Sequence, residues 1–225
     1  MGNVTARPVI LVTGTQREAG VVSREGLIVL AGGGDAQGLR EAIADAAPRA
    51  AGIISFGMAG GLDRSLALGD WVIGRRVVGG YQAPCDERWI AALQAILPRA
   101  RVGAVYADGQ LLSDSQSKGE RSCSSAALAC DMESHIAGEV AAQAGLPFAI
   151  LRCISDTAET DLPPAVGVMM RADGGINLGA LLRSVAGQPG QVPRLASTLG
   201  GFARAFRAMG KDAAKIGGRL GFDQR

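Results

Sequence analysis

The sequence predicts an α/β fold in which a mixed central sheet lies between layers of helices. Short apolar runs of strand length recur along the chain, and alanine-rich stretches of helix length lie between several of them. In addition, 48% of the 225 residues are hydrophobic. A chain of this length can bury one substantial core and is short for two. We therefore expect a single domain over residues 1–225.

Six runs rich in valine and isoleucine predict the strands. The strongest of them are apolar on both faces, which is typical of central strands covered by helices. They end in glycine or in a small residue, where a turn can follow. The runs are Pro8–Thr13, Leu27–Ala31, Gly52–Phe56, Asp70–Val78, Val102–Ala107 and Pro147–Ile154.

Alanine-rich stretches at 36–50, 86–98 and 126–144 predict helices between these strands. The last is marked best over 132–144, because Gly145 is a suitable residue just after a helix end. Strands that alternate with helices in this way indicate a layered α/β sheet.

The last third of the chain predicts an amphipathic, basic helical segment over 193–222. Glycines such as Gly200 and Gly210 are expected to break or fray it. Two interpretations stay open: packing against the domain or a second subunit, and adsorption to an anionic membrane surface. The apolar stripe consists of Leu195, Leu199, Phe202, Phe206, Met209, Ala213, Ile216 and Leu220.

Composition excludes several classes of protein. A formal net charge of +2 gives no basic excess for a general nucleic-acid surface. The four cysteines lack C-x-x-C spacing and, with one histidine, form no zinc pattern, so we expect buried thiols in a reducing compartment. The first apolar run is too short for a signal peptide, and no run approaches a transmembrane span, which favours a cytoplasmic protein.

The single histidine, His135, shares a helix face with Glu139. Such a pair could be half of a metal site, but no third ligand is apparent in the sequence. We favour a structural or surface pair and expect no metal.

Glycine follows each of the first three predicted strands, at Gly14, at 32–34 and at 57–61. Ligands of open α/β sheets bind at the carboxyl ends of strands, and glycine lets the backbone approach a ligand. Any one of these glycines could simply form a tight turn. Three at equivalent positions favour a small-molecule site. A dinucleotide site is a weak rival, since no segment fits G-x-G-x-x-G well.

Acidic residues follow two of the predicted elements. Asp131 and Glu133 stand at the start of the 132–144 helix, and Ser155 and Asp156 end the next strand. One connection thus brings these carboxylates to the same edge of the sheet. The alternative is that they cap helices and favour helix dipoles. Spacing alone does not decide between the two.

Longer strings around these residues resemble the purine and uridine phosphorylase superfamily, which includes the methylthioadenosine/S-adenosylhomocysteine nucleosidases. Its G-x-A-G-G-L…G-D-x-V pattern, M-E pair and S-D pair occur in order over residues 8–158. The resemblance implies a three-layer nucleoside phosphorylase-type fold and a homo-oligomer. The strings are ILVTGTQREAG, ISFGMAGGLDRSLALGDWVI and CDMESHIAGEVAAQAGLPFAILRCISDTA.

Softer strings over the whole chain resemble the hopanoid-associated phosphorylases of bacteria. They are DMESHIA, the LPP after the S-D pair, MRADGG at 170–175, and PGQVPRL…ARAFRA. This resemblance implies removal of adenine from adenosylhopane, a lipid-linked nucleoside. Such a substrate would make contact of the C-terminal helix with the inner membrane surface useful.

The resemblance also implies roles for particular residues. Asp156 would be the general acid or hydrogen-bond partner at adenine N7, oriented by Ser155. Glu133 would accept hydrogen bonds from the ribose hydroxyls, with Met132 packed on the sugar. Ser113 lies where the family's base-binding loop begins.

The attacking group decides between phosphorolysis and hydrolysis. In the nucleosidases a glutamate after the first strand positions water, and counting from Gly14 places that position on Ala19. Glu18, which we include among the substrate-binding residues, lies one residue short. One helical residue turns a side chain by about 100°. Glu18 is therefore expected to be poorly placed to activate water, which favours phosphate.

The sequence thus predicts adenine release from a 5′-substituted adenosine by phosphorolysis, with inorganic phosphate as co-substrate and no other cofactor. Two alternatives are a hydrolytic nucleosidase and a non-catalytic nucleoside-binding protein on the same fold. The residues expected to bind phosphate are Gly33, Gly34, Gly57, Met58 and Ala59.

Overall fold

The computed structural model describes residues 7–22, 25–32, 34–168 and 177–225, and it confirms the predicted α/β architecture. Its strands are β1 (Val9–Thr13), β2 (Leu27–Ala31), β3 (Gly52–Gly61), β4 (Trp71–Gly79), β5 (Ala83–Pro84), β6 (Arg101–Ala107), β7 (Ala127–Asp131) and β8 (Phe148–Asp156). Its α-helices are α1 (Gln16–Val22), α2 (Ala36–Ala46), α3 (Glu87–Ile96), α4 (Ser115–Ser125), α5 (Ser134–Ala144), α6 (Pro164–Val168), α7 (Leu178–Gly187) and α8 (Val192–Ile216).

The sheet is mixed, as expected. Its order is β2-β1-β3-β7-β6-β4-β5, and β8 pairs in parallel with β3 and antiparallel with β4. Because β4 pairs with β6, β6 with β7, and β7 with β3, the five strands β3, β8, β4, β6 and β7 close into a ring. The sequence did not predict this closure. β1 and β2 extend the sheet from β3 in parallel.

Two expected boundaries were wrong. The glycine-rich segment after the third predicted strand is not a turn, because β3 continues to Gly61. The stretch 126–144 is not one helix, because residues 127–131 form β7 and α5 begins only at Ser134. Alanine-rich composition suggested a helix there, but pairing with β6 overrides that local preference.

The connection between β7 and α5 contains the helix cap that the alternative interpretation expected. Asp131 Oδ1 accepts hydrogen bonds from the backbone amides of Glu133, at 2.9 Å, and Ser134, at 2.7 Å. At the other end of α5, Gly145 has φ +63°, the left-handed conformation expected of a residue after a helix. Both ends of α5 are therefore fixed, and its start lies at the edge of the sheet.

Helix α8 runs for 25 residues. The expectation that glycines break the segment 193–222 was wrong at Gly200 and Gly210 and correct at Gly217, where φ is +80° and the helix ends. Gly201 has a packing role within the helix, since a side chain there would collide with the carbonyl oxygen of Ser155. Glycine at this position lets α8 lie directly on β8. Met209, Ala213 and Ile216 of the predicted stripe are buried, as the packing interpretation requires. Among the described residues, no helix has the length and apolar content needed to cross a membrane.

Candidate active site

A cavity of about 330 Å³ opens at the carboxyl ends of β1, β3, β7 and β8, under α8. This volume lies at the lower end of the range typical of small-molecule sites. Its polar lining, which we call the polar side, consists of Thr15, Arg17, Glu18, Asp131, Glu133, Ser155 and Asp156. Its apolar lining consists of Met58 and Met132 beside the acidic residues and of Leu111, Leu162, Val166, Leu199, Phe202, Ala203 and Phe206, which we call the apolar wall.

At one end of the polar side, both oxygens of Asp156 are held by neighbours. The Ser155 hydroxyl donates to Oδ1 at 2.8 Å, and the Lys118 ammonium donates to Oδ2 at 2.6 Å. Lys118 lies on α4 and its side chain is completely buried. Gly60 of β3 makes room, because a Cβ there would lie 3.0 Å from Asp156 Oδ2. We call Ser155, Asp156 and Lys118 the Asp156 cluster.

At the other end, two carboxylates meet beside Gly14. A Cβ on Gly14 would lie 3.2 Å from Glu133 Oε1 and 3.3 Å from Glu18 Oε2. Glycine after β1 therefore leaves room for the close approach of two acidic side chains. Asp131 and Arg152 lie behind them, and we call Glu18, Asp131, Glu133 and Arg152 the Glu133 cluster.

Glu18 was expected to be poorly placed to activate water, yet its carboxylate turns toward the cavity. Its side chain lines the cavity and is only 3% exposed. Oε1 accepts the backbone amide of Met58 at 2.6 Å, and Oε2 accepts the amide and hydroxyl of Thr15 at 2.7 and 2.8 Å. Because α1 begins only at Gln16, Glu18 lies in its first turn, where these bonds draw the carboxylate back toward β3. These hydrogen bonds set the direction of the Glu18 side chain. The number of residues after Gly14 does not.

Sequence reasoning missed Arg152, which lies in β8 and is completely buried. Its Nε is 3.0 Å from Asp131 Oδ2, an ion pair rather than a well-directed hydrogen bond. A terminal nitrogen is 3.7 Å from Glu133 Oε2, and the guanidinium also donates to the Ser55 hydroxyl. A signal did exist in the sequence. An arginine inside an otherwise apolar strand is costly to bury unless acidic partners surround it.

The electrostatics of the Glu133 cluster are dominated by desolvation. Burial raises the pKa of Glu133 to about 7; the positive charge of Arg152 opposes this shift, and the charges of Asp131 and Glu18 add to it. Glu133 therefore changes its charge near neutral pH. Titratable groups with such shifts are concentrated at functional sites.

Of the other predicted substrate-binding residues, Met132 and Ser155 line the cavity and Ser113 does not. Ser113 is exposed, and its backbone carbonyl accepts the amide of Leu162 at 2.7 Å. Leu111, two residues earlier, lines the cavity in its place. The contribution of this segment to the cavity is therefore apolar.

The residues expected to bind phosphate do not form one site. Met58 and Ala59 line the cavity, whereas Gly57, with φ +144°, borders Glu18. Gly34 lines a separate cavity of about 30 Å³, which has room for a water molecule. Gly33 lies outside the described residues.

Glu139 was expected to pair with His135. Its carboxylate instead forms an ion pair with Arg40 at 2.7 Å. In the part of the chain that the structure describes, no three or more His, Cys, Asp or Glu side chains form a group that could hold a metal. Three of the cysteines are buried and Cys123 is exposed.

The fold and the acidic cavity define an enzyme of the nucleoside phosphorylase or nucleosidase class. Within that class, the profile of the phosphorylase superfamily matches residues 2–172, and the chain belongs to this superfamily. No curated protein matches the chain.

Solved structures share the fold at low sequence identity. The 5′-methylthioadenosine/S-adenosylhomocysteine nucleosidase of Neisseria meningitidis, in complex with methylthio-immucillin-A, is 17% identical with a TM-score of 0.65, covering 93% of this chain and 99% of its own. The S-adenosylhomocysteine nucleosidase of Streptococcus pyogenes is 18% identical with a TM-score of 0.61, covering 90% and 98%. The futalosine hydrolase of Helicobacter pylori is 15% identical with a TM-score of 0.63, covering 81% and 98%.

Proposed function

We propose that the protein cleaves the N-glycosidic bond of an adenosine that carries an apolar 5′ substituent, and releases adenine. One observation carries this proposal: a single cavity is lined by two clusters of buried carboxylates and by an apolar wall. Breaking such a bond leaves electrons on the base and positive charge on the ribose. A site with a proton donor at one end and negative charge at the other is complementary to that transition state.

In this proposal, the purine lies at the Asp156 cluster. Asp156 delivers a proton or a hydrogen bond to N7 as the C1′–N9 bond breaks, so that the base leaves as a neutral molecule. Ser155 donates to Oδ1 and fixes the plane of the carboxyl group. A buried and fixed acid contributes typically 10²–10⁴-fold to such a step.

The ribose lies at the Glu133 cluster. In its ionised form Glu133 accepts hydrogen bonds from the 2′- and 3′-hydroxyls, and Met132 packs on the sugar. Within the cluster, Glu18, Asp131 and Glu133 face one buried cation, Arg152. The exposed Arg17 lines the same cavity, with its guanidinium over the ring of Phe206. When all are ionised, the cluster itself carries a net charge of −2, and the charge of Arg17 reduces this excess in the cavity. This excess stabilises a cation-like ribose.

The nucleophile that fits this cluster best is water, in contrast to the phosphate favoured by the sequence. That preference depended on Glu18 pointing away, and Glu18 lines the cavity. The amides of Thr15 and Met58, which an anion would use, already donate to the Glu18 carboxylate. A phosphate dianion would have to displace or face that carboxylate, whereas a water molecule can donate its proton to it.

The apolar wall supports a bulky apolar 5′ substituent. It is built mainly from α8, with Leu111, Leu162 and Val166 at its side. Leu199 and Leu111 are 45% and 38% exposed, so the apolar lining continues toward solvent. A 5′ group longer than the cavity can therefore extend outward, as the lipid part of adenosylhopane would. A homo-oligomer, a cytoplasmic location and peripheral membrane contact stay predictions.

The experiment is a release assay on purified protein with three substrates: adenosine, 5′-methylthioadenosine and adenosylhopane in detergent. Adenine is quantified by chromatography with and without phosphate. We expect release without phosphate and a kcat/KM that rises with the apolar character of the 5′ group. Strict dependence on phosphate would restore phosphorolysis and overturn the water proposal. Absence of adenine from all three substrates would overturn the function, provided that the protein is folded.

A further inference from the structure

The proposed function leaves one buried charge without a role, the ammonium of Lys118. Its side chain is completely buried, and Nζ lies outside the cavity, behind Asp156. Lysine is almost never fully buried unless it is paired, because removing its charge from water costs several kcal/mol. We therefore expect the buried charge of Lys118 to have a function at this position.

All three protons of the Lys118 ammonium have acceptors. One points to Asp156 Oδ2 at 2.6 Å, and the others point to the carbonyl oxygens of Thr157 at 3.0 Å and Thr160 at 2.9 Å. Lys118 thus ties α4 to the end of β8 and to the turn that follows it. This geometry fixes Nζ against the single oxygen of Asp156 that Ser155 does not bind.

Other ionisable groups near Lys118 leave its pairing with Asp156 intact. Burial raises the pKa of the Cys130 thiol to about 12, so this neighbour stays uncharged at neutral pH. The carboxylate of Asp161 is buried little and accepts the backbone amide of Ser115 at 2.8 Å. Lys118 and Asp156 therefore form a buried pair whose formal charge is zero.

We propose that Lys118 is a positioning residue that holds the proton which Asp156 delivers to the leaving base. This inference depends on the proposed function. In the resting pair, one ionisable proton is shared between Nζ and Oδ2. As the C1′–N9 bond breaks, its electron pair moves onto the purine and N7 takes the proton from Asp156. Because that proton came to Oδ2 from Nζ, Lys118 is left neutral and Asp156 is left as a carboxylate.

The charges balance in this step. The pair loses one proton and changes from zero to −1, the base leaves neutral, and the ribose becomes cation-like. Attack by water then yields ribose and one proton, which passes to Glu18 and from there to solvent. Lys118 regains a proton from solvent after the products leave. A lysine can do this and an arginine cannot, since guanidinium does not give up its proton in proteins.

The test compares Lys118→Gln with wild type in the release assay. Glutamine keeps two N–H donors for the buried acceptors but has no ionisable proton. We expect kcat to fall about 10²-fold while KM changes less than about three-fold. The matched control is Lys215→Gln, which removes a lysine that lies 2.8 Å from Asp212 but is 58% exposed. This control is expected to leave kcat unchanged.

A double substitution separates this role from a structural one. If Lys118 acts through Asp156, Lys118→Gln has no further effect on kcat in an Asp156→Asn background. A merely structural lysine would lower kcat again in that background, or raise KM, and either result would overturn the inference. Thermal denaturation of each variant verifies folding, and Lys118→Met repeats the test without a polar head. Wild-type protein that releases no adenine would overturn the proposed function as well, whereas active Lys118→Gln overturns only the role of Lys118.

Discussion

The two clusters of the cavity differ in how their charge is balanced. In the Asp156 cluster, one carboxylate meets one buried ammonium at 2.6 Å. In the Glu133 cluster, three acidic side chains surround a single buried arginine. The first is formally neutral and the second carries an excess of negative charge when all its acids are ionised.

This difference corresponds to the two halves of the proposed reaction. The formally neutral pair can supply a proton to the departing base, which needs one to leave as a neutral molecule. A negative cluster attracts the developing charge of the ribose. At an effective dielectric of about 20, opposite unit charges 4 Å apart attract by roughly 4 kcal/mol, which corresponds to about 10³ in rate. The predictions below test each half of this comparison.

The largest effect is expected at the Asp156 cluster. Asp156→Asn keeps the size of the side chain but removes the group that gives up a proton. Adenine release should fall by about 10² or more in kcat. Steady-state assays measure this effect, and Ser155→Ala, which removes only the group that orients Asp156, should fall less. An unchanged rate in Asp156→Asn would falsify the assignment of the acid.

Glu18→Ala tests the other cluster and the choice of nucleophile. Without phosphate, release should fall by about 10², because water loses its base. The same substitution frees the amides of Thr15 and Met58. Added phosphate should therefore raise the rate of the variant more than that of wild type. If phosphate accelerates wild type strongly and the variant not at all, the Glu18 carboxylate is not what excludes phosphate.

The smallest effect concerns the pH dependence of stability. Glu133 has a folded-state pKa of about 7, above its ordinary value of 4.5, so the folded protein holds this proton more tightly than the unfolded chain. Its contribution to the free energy of unfolding is fully present below 4.5 and is lost as the pH rises to about 7. Glu133→Gln should flatten this decline. Urea denaturation at about pH 5 and pH 8 measures the difference, and equal declines in both proteins would contradict the raised pKa.

Much of the fold could be predicted because β1, β2, β4, β6 and β8 are local apolar runs with turn residues at their ends. The closure of the ring could not be predicted. It depends on the contact of Gly60 and Gly61 with Cys130 and Ala129, which are far apart in sequence. Strand β7 was missed for the same reason, since its alanines become a strand only through pairing with β6.

The residues of the candidate site could likewise be predicted only in part. Asp156 and Glu133 could be found because they follow a strand and precede a helix within recognisable strings. Lys118 could not, because a lysine in the polar helix α4 is ordinarily exposed and only the folded chain shows it at Asp156. Glu18 was assigned the wrong direction because counting residues ignores the hydrogen bonds that redirect its side chain.

Strand β8 carries a group from each cluster, Arg152 and Asp156, four residues apart on one covalent backbone. At about 3.3 Å per residue their Cα atoms are separated by roughly 13 Å. One strand thus sets the spacing between the arginine that pairs with Glu133 and the proposed acid, whereas the apolar wall on α8 is held only by packing. Substitutions on α8 can therefore alter the fit to the 5′ substituent without changing the strand that carries these two groups.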